Sequence, residues 1–107
     1  MKLFTRKDLA ALARNATLPE ADRNAVIKLF TPDAGATWLI SEIDGDRLFG
    51  LCDLGLGFPK LGYVSIEEIS SYRGRLNLPI ERDRYFKPVK TLSEYAREAR
   101  IKGGIFA

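Results

Sequence analysis

Three apolar, β-branched runs joined by very short connections constrain this chain most. They are Ala25–Phe30 (AVIKLF), Thr37–Ile43 (TWLISEI) and Arg47–Asp53 (RLFGLCD). Between the first two stands Thr31-Pro32-Asp33-Ala34-Gly35, a turn-forming stretch. Between the second and third stands Asp44-Gly45-Asp46, whose glycine accepts the positive φ of a tight hairpin. Parallel strands need a crossover of about a dozen residues or more, and neither gap supplies it. The runs therefore predict an antiparallel meander. Leu54–Gly62 (LGLGFPKLG), with three glycines and a proline, reads as loop, Tyr63-Val64 as a short added strand, and Ile80–Phe86 (IERDRYF) as a late one.

Helical signals flank this sheet. Thr5 with Asp8, Ser65 with Glu68, and Thr91 with Glu94 have capping-box spacing. Leu9, Leu12, Ala13 and Ala16 mark the inner face expected of the first helix, Ile66 and Ile69 that of a short second one. Leu92, Tyr95, Ala96 and Ala99 share a face of the third, which Gly103 terminates. A chain of 107 residues has room for one core, and no linker or repeat divides it. The expectation is a single α+β domain over residues 1–107: a meander sheet of about four to five strands, with three helices packed on one side.

The chain's chemistry is limited by what it lacks. It has no histidine, which removes the commonest general base, the Ser/His and Cys/His nucleophile pairs and the usual zinc ligand. Cys52 stands alone, so neither an internal disulfide nor a thiolate cluster can form, and burial as a small apolar side chain is its expected role. Neither a cofactor nor a metal is expected. The first fifteen residues lack the apolar stretch of a signal peptide, and nothing approaches the roughly 20 apolar residues of a membrane span. The cytoplasm is the expected compartment.

The paired carboxylates of one hairpin, Glu42, Asp44, Asp46 and Asp53, suggest Mg²⁺ or acid–base chemistry. Asp44 and Asp46 nonetheless flank Gly45 as turn residues do. Pro32-Asp33 ahead of Glu42-Ile43-Asp44 has the outline of a metal-nuclease motif, but Asp44 occupies the place of its lysine. If the chain is an enzyme, Asp53, Glu81 and Asp83 are the candidates. The glycines of Leu54–Gly62 fit neither a P-loop nor a dinucleotide fingerprint. An ordered loop carrying Leu56, Phe58 and Lys60 is instead a candidate contact surface.

Charge is uneven. Residues 1–53 hold seven Lys/Arg against eight Asp/Glu, residues 54–107 ten against six, and residues 73–102 nine against four. On a strand over 80–86, Arg82, Arg84 and Phe86 share one face and Glu81, Asp83 and Tyr85 the other. On the third helix Arg97 and Arg100 lie about 60° apart, with Glu94 and Glu98 on the far side. Arg82, Arg84, Arg97 and Arg100 are therefore expected to merge into one basic face for phosphate contact, with Tyr72 or Phe86 as stacking neighbours. Internal pairing with Glu81 and Asp83 is the opposing expectation. Trp38 reads as core.

Four stretches, KLFTPDAGATWLISE (28–42), FGLCDLGLGFPKLGYVSIEEI (49–69), RGRLNLPIERDRYF (73–86) and LSEYAREAR (92–100), resemble a bacterial domain of unknown function, family number twenty-nine fifty-eight. Lys60, Asn77 and Lys87 stand where that family commonly has an acidic residue, glycine and glutamate. The resemblance implies carriage on plasmids, integrative elements and prophages, and supplies no catalytic residue. Together with the basic segment it leads to the expectation of a small non-enzymatic binding protein of a mobile element. Its partner would be nucleic acid or a nucleic-acid-handling protein, with no membrane. The alternative is an inhibitor of a host defence system, such as a restriction or CRISPR effector.

Overall fold

The computed structural model describes residues 3–107. Five strands, β1 (Ile27–Phe30), β2 (Thr37–Asp44), β3 (Arg47–Asp53), β4 (Lys60–Ser65) and β5 (Glu81–Arg82), form one antiparallel sheet of order β4-β3-β2-β1-β5. Helices α1 (Arg6–Asn15), α2 (Ile66–Ser71) and α3 (Leu92–Lys102) complete a single α+β domain, as the hydrophobic patterning predicts.

The helices occupy both faces of the sheet, not one. Alternation along β2 explains why: Trp38 and Ile40 join Leu12 of α1 and Ile69 of α2 in one core cluster. Leu39 points the other way and packs with Leu51 against Leu92, Tyr95, Ala96 and Ala99 of α3. Both faces of the central strands are apolar, so each needs a cover. Trp38 is buried, as its mid-strand place suggests.

Capping chemistry sets where the helices begin. Thr5 and Asp8 form a complete capping box on α1, and Thr91 and Glu94 another on α3. The Ser65 hydroxyl accepts from the Glu68 amide to start α2, and Gly103, at φ 77°, ends α3 in the left-handed conformation. The docked stripe of α1 differs from expectation. Leu9, Ala13 and Ala16 are exposed, and the stripe is Asp8, Leu12 and Asn15. Asn15 donates to the carbonyls of Asn24 and Ser41, the latter at the bulge that interrupts β2 between Ile40 and Glu42. Polar contacts to fixed carbonyls thus set the rotation of this helix.

Two strand boundaries also move. The β4 strand begins at Lys60, within the stretch expected to be loop. The β5 strand ends at Arg82, because the Asp83 carboxylate accepts from the Tyr85 amide and its carbonyl from Phe86, turning the chain. The alternation expected through Phe86 therefore stops after two residues.

Candidate contact surface

The four arginines do not form one face. Leu29, the neighbour of Arg82 across β1, belongs to the α1 side of the sheet. Arg82 accordingly points under α1, donating to the Asp8 carboxylate and, at 3.1 Å, to the Leu3 carbonyl. Burial pushes the Asp8 carboxyl up, but hydrogen bonds from Arg82 and from the Thr5 amide and hydroxyl outweigh it and hold the group below its ordinary range. Arg84 lies on the exposed turn beyond β5, and Arg97 and Arg100 are exposed on α3, across the sheet from Arg82. Glu94, expected on the far side, stands one turn before Arg97. Hydrogen bonds from Thr91, aided by Arg97, hold its carboxyl low.

Two more lysines, Lys90 in the basic segment and Lys28 on β1, are paired with carboxylates. Both Glu98 carboxylate oxygens accept from Lys90, which raises the lysine's pKa and lowers that of the glutamate. Lys28 lies 3.5 Å from Asp83 and donates to the Ala107 carbonyl. Phe86 is partly buried against the α3 cluster, 6.1 Å from the Tyr95 ring, and Tyr72 follows α2 on the opposite face. Neither stands beside Arg97 and Arg100 as a stacking partner.

The acidic candidates separate as well. Asp53, Thr37, Phe30 and Glu81 stand in register across β3, β2, β1 and β5. Asp53 is therefore three strand spacings, roughly 14 Å, from Glu81. Its carboxylate is already engaged: Oδ1 accepts from the Gly55 amide and Oδ2 from Ile105, both at 2.9 Å. Glu42 pairs with Arg23 at 2.7 Å, and Asp44 with Arg47. Among the described residues no three His, Cys, Asp or Glu side chains converge as metal ligands do.

The loop following β3 is a different matter. Asp53 grips the Gly55 amide; Gly55 and Gly57 take φ 79° and 83°; Gly55 lies against Gly35. A Cβ at Gly55 would sit 3.0 Å from the Gly35 carbonyl oxygen, so the close approach and the positive φ both require glycine there. Pro59 is buried at the far end. So braced, the loop presents Leu54, Leu56 and Phe58 at 59%, 71% and 74% exposure. With half-buried Cys52 and exposed Lys60 they line an apolar groove of about 500 Å³. Burial pushes the Cys52 thiol pKa up, in keeping with its apolar surroundings.

The chain matches the family described as "Protein of unknown function (DUF2958)" over residues 3–106. It belongs to that family. No curated protein and no solved structure matches it. In this family member Asn77, at a position expected to favour glycine, has φ 61°. That is the region where glycine is strain-free and asparagine the best-tolerated substitute.

The other face of this sheet edge carries a second exposed apolar feature. On the α3 face of β4, Leu61 and Tyr63 are 37% and 53% exposed, Tyr63 edge-on to Phe49 and capped by the Arg47 guanidinium 4.7 Å from its ring centre. The only local signal is the alternation in Lys60-Leu61-Gly62-Tyr63-Val64-Ser65, obscured by the glycines before it. No helix among the described residues is long and apolar enough to cross a membrane.

Proposed function

We propose that this protein is a small non-enzymatic binding module of a bacterial mobile element, and that its partner is a protein. The partner is either one that handles nucleic acid or a host defence effector of the restriction or CRISPR type. The reading rests on the loop Leu54–Phe58: a glycine-shaped backbone, tied down at both ends, holding large apolar side chains in solvent. Ordered apolar groups in such a patch are the usual anchors of a protein interface. The matched charges of Arg82, Lys90 and Lys28 favour a protein over bare nucleic acid.

The test is affinity capture from the bacterial host with the intact protein and with a Leu56→Ser/Phe58→Ser variant. A nuclease or other nucleic-acid-handling protein recovered by the first and lost with the second is the expected result. Equal recovery by both would remove this surface from the function. Direct nucleic-acid binding is the second reading, favoured by exposed Arg97 and Arg100, for which no ion pair occurs among the described residues. It predicts salt-dependent binding of short DNA or RNA by fluorescence anisotropy, lost on Arg97→Glu/Arg100→Glu.

A further inference from the structure

We propose that β4 pairs antiparallel with β4 of a second copy of this chain, joining two five-stranded sheets into one of ten. The two edges of the sheet differ. The β5 edge is two residues long and ends in a turn, which blunts it. The β4 edge is six residues long, carries no bulge, and has one charge, Lys60, at its start. Gly62 at its middle opens onto free space.

Hydrogen-bond parity shows which groups this edge offers. The Ile66 amide donates to Asp46, so residues in the 46↔66 register position are directly bonded, and bonded pairs recur at every second residue. Lys60, Gly62 and Val64 therefore bond to β3, while Leu61 and Tyr63 turn their N–H and C=O groups outward. Neither meets a loop or turn partner among the described residues. An incoming antiparallel strand must place its own outward residues opposite these. In a twofold pairing the axis then passes through a residue. A pairing centred on Tyr63 would need the Ser65 carbonyl, which as the N-cap of α2 already accepts the first helical bond. Centred on Gly62, Leu61 and Tyr63 of each copy exchange four hydrogen bonds.

The side chains suit this register. On the α3 face each exposed Tyr63 lies across from the other copy's exposed Leu61, an aromatic–aliphatic pair of the kind that stabilises sheets. On the opposite face Gly62 meets Gly62, and Lys60 meets Val64, next to the start of the second copy's α2. There the first turn carries Glu67 and Glu68. Lys60 has no carboxylate partner in its own chain among the described residues, and the twofold axis supplies one at each end. No like charges face one another. This complementarity is what selects a second copy over an unrelated strand.

The inference is independent of the protein-partner reading: the twofold axis is perpendicular to the sheet, so both Leu54–Phe58 grooves stay on one face. Sedimentation equilibrium at up to about 100 μM, above the dissociation constants of typical weak interfaces, tests it. Twice the 12.0 kDa chain mass is expected. Tyr63→Pro removes an outward N–H that an edge strand does not need internally, and should leave a monomer with unchanged circular dichroism. If that variant fails to fold, the charge pair decides. Lys60→Glu should weaken the dimer about tenfold, and Lys60→Glu/Glu67→Lys should restore it. A wild-type monomer throughout the range, a dimer indifferent to Lys60→Glu, or failure of the double variant to recover would overturn the pairing. A monomer would leave the capture experiment with Leu56 and Phe58 unaffected.

Discussion

Asp53 stitches three parts of the molecule together, and its removal should be among the most damaging single changes. The side chain sits at the end of β3, 8% exposed, with one carboxylate oxygen on Gly55 and the other on Ile105. A hydrogen bond to a charged group contributes about 1.5–3 kcal/mol net. The low end applies here because Gly55 is exposed and water replaces part of what is lost. Two such bonds make Asp53→Ala cost about 3 kcal/mol, a fall in Tm of roughly 12–24 °C for a domain of this size. Asp53→Asn keeps one acceptor oxygen and should lose about half as much. Urea unfolding followed by circular dichroism measures both, and hydrogen exchange at the Gly55 and Ile105 amides localises the effect. An Asp53→Ala protein within about 0.5 kcal/mol of wild type would refute the reasoning, since that is the range of ordinary surface changes. The consequence reaches the contact surface, because the Gly55 bond holds the loop that presents Leu56 and Phe58.

Because the Asp8 carboxyl is held below its unfolded value, its stabilising contribution is full above the ordinary carboxylate pKa of about 4 and is lost as pH falls through the folded value. Asp8→Asn should therefore narrow its stability gap to wild type under acid, read by thermal melts across that window. A Cβ at Gly74 would lie 1.8 Å from Asp33 Oδ1, and Asp33 also accepts from the Leu76 amide at 2.7 Å. Gly74→Ala should cost about 2 kcal/mol or more by overpacking, and much less in an Asp33→Ala background, a coupling that a double-mutant cycle measures. At φ 61°, Asn77→Gly should be neutral within about 0.5 kcal/mol, whereas β-branched Asn77→Val should cost more than about 1 kcal/mol by chemical denaturation.

The elements that local chemistry controls were legible in the sequence. Thr5, Ser65 and Thr91 start helices because a side-chain oxygen three residues before a free amide caps it wherever the helix lies. Gly45 makes a hairpin because the turn needs its φ of 64°. The apolar runs of β1 to β3 pair antiparallel because their connections allow nothing else. The exposed loop of Leu56 and Phe58 was also legible, since its glycines and proline exclude regular structure.

What the sequence alone left open depends on which residues meet across long separations. Arg82 and Asp8 are 74 positions apart, and no local pattern tells a free arginine from one whose carboxylate arrives on another helix. Asp53 and Ile105 are 52 apart, so a site candidate proves to be a tether. The distribution of helices over two faces follows from the same cause. Trp38 and Leu39 are apolar neighbours in sequence, and the assembled sheet shows that they need separate covers. Charge and hydrophobicity are written along the chain, but pairing and exposure belong to surfaces, and surfaces exist only once the chain has folded.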